Sequence, residues 1–303
     1  MIYFDYTATT KPKQELLDLH NRINNEYWYN TEGMYNPGVK SHMLLDKSAR
    51  VIIDTLKLKN KRVLFTSGAT EANNTAIYGI CSAYYNEPKH IITTYLEHAS
   101  VLNAYKDLEK RGFKVTYLIS NKDGIIDIKD LEESITNDTV LISVMWVNNI
   151  IGTIQPIDKI IEIVKKYPRI KLHVDAVQGF GKIEPNFYFN DIDLLTISGH
   201  KLEGLKGTGL LLYNDKLHLS FIKGGHQQDG IRPGTVDLAG CVVMAKTIQL
   251  ATKDINTKYN DVLKKYQYLV NNLEKEDHII LNKSKYSSPY ILSITFKKIK
   301  GET

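Results

Sequence analysis

A lysine that leaves a β-rich run can attack an aldehyde, and Thr196-Ile197-Ser198-Gly199-His200-Lys201 places one ahead of the glycine-rich Gly204-Leu205-Lys206-Gly207-Thr208-Gly209. Desolvation at a buried strand end lowers a lysine pKa and yields the neutral amine such an attack needs. Ser198 and His200 would add donors for a phosphate. Upstream, His173-Val174-Asp175-Ala176-Val177-Gln178 leaves a carboxylate and then an amide past another apolar run. Ligands of open α/β sheets bind at such carboxyl ends. A carboxylate against a pyridine nitrogen keeps it protonated, and a protonated ring is an electron sink beside an imine. Gln178 could bond a ring hydroxyl oxygen. Earlier still, Thr66-Ser67-Gly68-Ala69-Thr70-Glu71 lies at a strand-to-helix junction, where free N–H groups and the helix dipole favour a phosphate. Each segment has a plainer alternative: a glycine turn with a threonine cap, an Asp175 that caps a helix beside an exposed Gln178, and a solvated lysine. Their order favours chemistry, because a phosphate cradle, an acid at one strand end and a lysine at a later one together compose a pyridoxal 5'-phosphate site.

These residues need strands that end at one place. Short β-rich runs alternate with amphipathic ones, the pattern of a mostly parallel sheet with helices on its faces. Strands are expected over 62–66, 90–94, 114–118, 140–147, 171–175, 194–198 and 209–213, and helices over 70–85, 100–111 and 157–167. The gap between the last two strands is too short for a helical crossover, so that pair should be antiparallel and the seven-stranded sheet mixed. Beyond about residue 240 a Lys-rich helical pattern runs over 250–276, followed by a strand-like 290–296. The division expected is a cofactor-binding large domain over 15–250 and a partial small α/β domain from 1–14 and 251–303.

With 303 residues, 43% of them apolar, the chain can bury a substantial core. A net charge of +5 with scattered lysines does not imply nucleic acid. No leader peptide and no membrane-spanning run is visible, and Cys81 and Cys241 form no metal or disulfide spacing. A cytoplasmic, reducing compartment is expected.

The chain resembles the cysteine desulfurases of the class V aminotransferase group, of pyridoxal-phosphate fold type I. The resemblance rests on residues 3–10, Asn36-Pro37 with His42, 66–74, Glu97-His98-Ala99-Ser100, 147–152, 173–181, 198–209 and 224–235. It implies pyridoxal 5'-phosphate on Lys201 as a Schiff base, His98 stacked on the ring, and Asp175 and Gln178 at the ring nitrogen and hydroxyl. It further implies that Ala69, Thr70, Ser198 and His200 hold the phosphate, that Asn148 lies near the substrate and ring hydroxyl, and that Thr235 reaches the phosphate of a partner subunit. Lys201, His98 and Asp175 would carry catalysis. The implied activity is sulfur transfer from L-cysteine, for iron–sulfur cluster or thio-cofactor synthesis, in a homodimer that serves a sulfur-acceptor protein.

Three departures from the family pattern stand out. Ile150 follows Asn149 where an acid is usual, and His226-Gln227-Gln228-Asp229 replaces a more glycine-rich loop bearing Glu and Arg. The sequence stops at Gly301-Glu302-Thr303, as a C-terminally shortened member would, before the family's mobile loop with its nucleophilic cysteine and its carboxylate-binding arginine. Cys81 and Cys241 read as buried packing thiols. Two other functions remain open on this reading: a different class V aminotransferase or lyase reaction on an amino acid, and a scaffold that keeps the fold without turnover.

Overall fold

The computed structural model describes residues 2–87 and 89–300. Met1 and the ending at Gly301 to Thr303 lie outside the described residues. Helices α1 (Gln14–Glu26) and α2 (Asn36–Thr55) precede strand β1 (Lys61–Thr66) and helix α3 (Ala69–Cys81). Then come β2 (His90–Thr94), α4 (Ala99–Lys110), β3 (Lys114–Leu118), α5 (Ile128–Ser134), β4 (Thr139–Met145) and α6 (Ile157–Val164). Strands β5 (Lys171–Asp175), β6 (Leu194–Ser198) and β7 (Gly209–Asn214) complete one sheet. Helices α7 (Leu238–Ala251) and α8 (Ile255–Leu273) lead to β8 (Ile279–Asn282) and β9 (Ser293–Phe296).

The main sheet has seven strands in the order β1-β7-β6-β5-β4-β2-β3. β6, β5, β4, β2 and β3 are parallel neighbours, whereas β7 runs antiparallel to both β6 and β1. The expected mixed sheet is therefore observed, with the antiparallel turn where the short gap required it. Strands β2, β4 and β6 are buried along their whole length, as near-continuous runs rich in β-branched residues should be when helices cover both faces. Side chains alternate between two cores. Ile91, Leu141 and Leu194 pack with Ala76 and Ile77 of α3 and Val101 and Leu108 of α4. Ile92, Ile142, Val174 and Ile197 face α6 and α7 through Ile160, Ile161, Met244 and Ile248.

Several expected boundaries shift for local reasons. β4 ends at Met145 because Asn148 N–H bonds the Thr153 carbonyl at 2.9 Å and turns the chain back. α3 tightens into a 3₁₀ turn at Ser82–Tyr84, and α6 stops at Val164, shortly before Pro168. The pattern over 250–276 is two helices, broken at Asp254, whose φ of 54° is left-handed. The strand over 290–296 begins only at Ser293, and pairs with β8 in a separate two-stranded sheet.

Gly209 is where strand packing meets the site. It pairs with both Thr66 and Ser198, and a Cβ on it would come within 2.6 Å of the Gly68 Cα, backbone that cannot move aside cheaply. Gly209→Ala is expected to lower stability by about 1–3 kcal/mol, the usual penalty for overpacking, measured as a reduced urea midpoint with an unchanged slope. A midpoint equal to wild type would show that the two loops do not depend on this close approach.

Candidate active site

After β2 the chain crosses to β3 on one side of the sheet, and after β4 it crosses to β5 on the other. Opposite exits leave a crevice at the carboxyl ends of β2 and β4, the place where open α/β sheets hold ligands. A cleft of about 770 Å³ opens there. His98, Met145, Asp175, Gln178, Ser198 and Lys201 reach it from the ends of β2, β4, β5 and β6. The loop from β1 into α3 closes one side through Gly68, Ala69 and Thr70, and Thr7 to Thr9 cross another.

The β1–α3 loop is built as an anion cradle. Gly68 sits at φ 152° and ψ −177°, a conformation open essentially to glycine, and a Cβ there would face empty space. Ala69 and Thr70 open α3, so their amides have no intrahelical partner. Glu71 fixes the loop by accepting from Ser67 N–H and from Arg232 Nε, both at 2.7 Å. Burial pushes the Glu71 carboxyl up, but those hydrogen bonds outweigh it and hold the group below its usual range. Opposite lies Ser198, 1% exposed, whose hydroxyl has no partner among the described residues. A buried orphan hydroxyl facing an open helix N-terminus fits a phosphate.

Asp175 is the acid of the site. Its Oδ2 accepts from Asn73 Nδ2 at 2.8 Å and its Oδ1 from Val177 N–H at 3.0 Å. Burial raises its pKa, while those two bonds and the Lys201 charge resist the rise. Such a carboxylate gains more from an adjacent cation than an exposed one does. The second Asn73 N–H reaches Ser100 Oγ at 2.9 Å, and Ser100 Oγ lies 2.9 Å from His98 Nδ1. Because Ser100 N–H also donates to Nδ1, at 3.2 Å, the His98 proton belongs on Nε2.

Lys201 ends a 3₁₀ turn after β6, and its Nζ donates to the carbonyls of Thr7 and, at 2.7 Å, Ala8. Burial lowers its pKa against the opposing charges of Asp5 and Asp175. His200 bonds Thr9 Oγ1 at 3.1 Å, and is lowered by burial and then by Lys201, Lys206 and Lys182. Gln178 donates from Nε2 to the Thr7 carbonyl at 3.0 Å.

The ten sequence-nominated residues meet differing fates. Lys201, His98, Asp175, Ala69, Thr70, Gln178, Ser198 and His200 converge on the cleft. Asn148 is placed behind the wall, where Asn149 takes the lining position. Its side chain holds a turn, with Nδ2 donating to the Leu96 carbonyl and Oδ1 accepting from the amides of Ile150 and Ile151, all at 2.9 Å. Thr235, considered separately for a partner subunit, is exposed and outside this cleft.

Sequence reasoning gave no role to Asn73, Glu97, Lys182 or the Thr7 to Thr9 crossing, since their significance depends on neighbours distant in sequence. Glu97 is the sharpest case. Its Oε1 accepts from Met145 N–H at 2.7 Å and Thr94 Oγ1 at 3.1 Å, while buried Oε2 has no partner among the described residues. Burial, with the Asp175 charge adding, pushes its carboxyl up to about 8. An orphan Oε2 is the natural seat of the proton.

The chain matches the family described as "Aminotransferase class-V" over residues 2–303. It is 38% identical over 309 residues to a "NifS/IcsS protein homolog" of Lactobacillus delbrueckii subsp. bulgaricus, covering 100% of this chain and 80% of that protein. It is 35% identical over 306 residues to a protein named "Cysteine desulfurase IscS" from Dictyoglomus turgidum, covering 100% of this chain and 77% of the other. A solved structure described as "NIFS-LIKE PROTEIN" superposes with a TM-score of 0.94 at 30% identity, over 99% of this chain and 83% of that one. Another, "SspA in complex with cysteine", gives 0.87 at 30% identity, over 98% and 84%.

The raised Glu97 pKa fixes the sign of a pH effect. Unfolded chain releases this proton near 4.5, folded protein only near 8. Between those values the folded state binds more protons, so Glu97 subtracts stability progressively as pH rises from 4.5 to 8, by no more than about 5 kcal/mol in all. Glu97→Gln mimics the neutral acid and does not titrate. Its stability relative to wild type is expected to climb across this window and level off above it, in urea melts taken at several pH values. A pH-independent difference would mean that Glu97 is not protonated in the folded protein.

Proposed function

Because this chain belongs to the class-V aminotransferase family, whose enzymes depend on pyridoxal 5'-phosphate, we propose that it is a cysteine desulfurase acting on L-cysteine. The observation that carries the reading is the convergence in one cleft of Lys201, Asp175 and the Gly68 to Thr70 cradle with the unpartnered Ser198 hydroxyl. When bound, the cofactor supplies an aldehyde that condenses with amines and a ring that accepts electrons once its nitrogen is protonated. Ser198, His200, Ala69 and Thr70 would hold the phosphate. Asp175 would keep the ring nitrogen protonated, and Gln178 would donate to the ring hydroxyl oxygen. His98 would cover one ring face and present its Nε2 proton to the substrate.

Lys201 has two tasks on this reading. Its Nζ would hold the cofactor aldehyde, and as a free amine it would accept a proton from the substrate α-carbon. Burial favours the neutral amine that both tasks require. Sulfur removal then needs a thiolate that can reach the substrate, leaving alanine and a persulfide. Cys81, in α3, and Cys241, in α7, are 0% and 5% exposed, and burial pushes both thiols up. Neither is the sulfur acceptor.

Borohydride reduction of protein saturated with pyridoxal 5'-phosphate, followed by peptide mapping, is expected to place the adduct on Lys201 and to find none in Lys201→Ala. An adduct elsewhere would overturn the assignment. Under reducing conditions, with an added small thiol to accept the sulfur in place of a cysteine of this chain, L-cysteine should yield sulfide and alanine in equal amounts. Sulfide without alanine would point to a lyase, and no product from any amino acid to a scaffold. The Cys81→Ser, Cys241→Ser double variant should match wild type in this assay, and a loss of turnover would show one of them to be the nucleophile.

The reading extends to a homodimer in which Thr235 serves the partner's phosphate. Its support is placement: Thr235 is exposed on a loop whose Gln228 brackets the Phe65 backbone with bonds of 2.8 and 3.0 Å. Loss of one hydrogen bond to a charged group costs about 1.5–3 kcal/mol, so Thr235→Ala should weaken cofactor retention about 10-fold or more without lowering the melting temperature of the cofactor-free protein. A monomer by light scattering that keeps stoichiometric cofactor would contradict the shared site.

A further inference from the structure

Lys182 stands four residues after Gln178 in the turn that follows β5, and its amine lies 2.8 Å from Gln178 Oε1. At the other end of the amide, Nε2 donates to the Thr7 carbonyl at 3.0 Å. The two contacts are selective. Lys182 offers hydrogens to an oxygen, and a backbone carbonyl can only accept. Rotating the amide by half a turn would set oxygen against the Thr7 oxygen, losing that bond outright, and nitrogen against the lysine, losing the second bond whenever the amine is protonated. The amide NH₂ has a second hydrogen, and Gln178 lines the cleft.

We propose that Lys182 is a positioning residue of this active site, which locks the Gln178 amide with its NH₂ toward the cleft and its oxygen away from it. The inference rests on the proposed cofactor reading for its consequence, though not for its geometry. An NH₂ stabilises an anionic ring oxygen, whereas an amide oxygen in the same place would repel it. Lys182 therefore selects the productive one of two nearly isosteric arrangements. Burial pushes its amine down to about 7, with the Lys201 charge acting in the same direction. A buried amine held beside a second lysine is costly unless it has an acceptor, and Gln178 Oε1 is the acceptor it has.

The test uses full-length protein with Lys182→Met, which fills the same space without a donor, and Lys182→Gln, which restores one without charge. In cofactor-free protein, the Gln178 side-chain amide signal, assigned by its disappearance in Gln178→Ala, is expected to shift in Lys182→Met and to return toward wild type in Lys182→Gln. After addition of pyridoxal 5'-phosphate, Lys182→Met should raise the dissociation constant about 10-fold or more and move the visible absorbance maximum. In a Gln178→Ala background the same substitution should change the constant less than about twofold, because its effect passes through the amide. An unmoved amide signal in folded Lys182→Met overturns the proposal, as does a full effect that persists without Gln178. A wild-type protein that fails to take up the cofactor would instead refute the functional reading, while the amide signal would still decide the role of Lys182.

Discussion

The buried carboxylate of Asp175 is the constraint around which the site is arranged. A charge in this position is tolerated only when hydrogen bonds and opposite charge replace the lost water. Asn73 and Val177 supply the bonds, and Lys201 supplies nearby positive charge. Asn73 belongs to α3, the helix that also opens the anion cradle, so the same element that begins at the phosphate side reaches the acid within two turns. Its second hydrogen continues through Ser100 to His98. Cradle, acid and imidazole are thus positioned by one helix and one hydrogen-bond chain, and they should respond to disturbance together.

Sheet topology makes this convergence possible. Parallel β2, β4, β5 and β6 end on one side, and the antiparallel β7 begins there, so Gly209 sits beside Ser198 and against Gly68. An all-parallel β7 would have brought its far end instead. The buried histidines of the strands play no part in the cleft. His173 spans Ser143 and Thr196 at 3.0 and 3.1 Å, and burial holds its pKa down to about 3, so it serves as a neutral cross-strand link.

Much of this was legible because fully buried strands are short continuous apolar runs, and Asp175 and Lys201 stand where two such runs stop. Helix α7 carried no readable period, since it is apolar nearly all round and buried on most faces. α1 and α2 were equally silent: α1 buries only Leu16 and Ile23, and α2 leaves Val39 and Met43 exposed, which blurs any single apolar stripe. Asn148 was recognisable as a residue type of the site, yet nothing in the sequence could tell that its oxygen is taken by the turn it holds and its nitrogen by the Leu96 carbonyl. Glu97 and Lys182 were invisible for a related reason. A carboxyl or an amine acquires an unusual proton affinity only from what is packed around it.

Those two residues also explain how the cleft keeps its charges distinct. The Asp175 charge adds to burial in raising Glu97, and one neutral carboxyl beside an anion is cheaper than two buried anions. Both Asp175 oxygens have a donor and Lys201 lies nearby, whereas one Glu97 oxygen has no partner among the described residues, so the proton settles on Glu97. Asp175 then stays the carboxylate that β5 presents to the cleft. Lys182, Lys201 and His200 are all held below their ordinary values by burial, and the Lys201 charge adds to the lowering of Lys182 and His200. Cations in that condition gain most from an anion that brings its own charge, and a doubly charged phosphate at the α3 N-terminus would relieve their mutual repulsion without displacing the Asn73 bond that defines Asp175. These groups suit a ligand with an anionic end near the cradle and a protonated nitrogen near Asp175, because the acid that β5 presents is the one that its hydrogen bonds keep ionised.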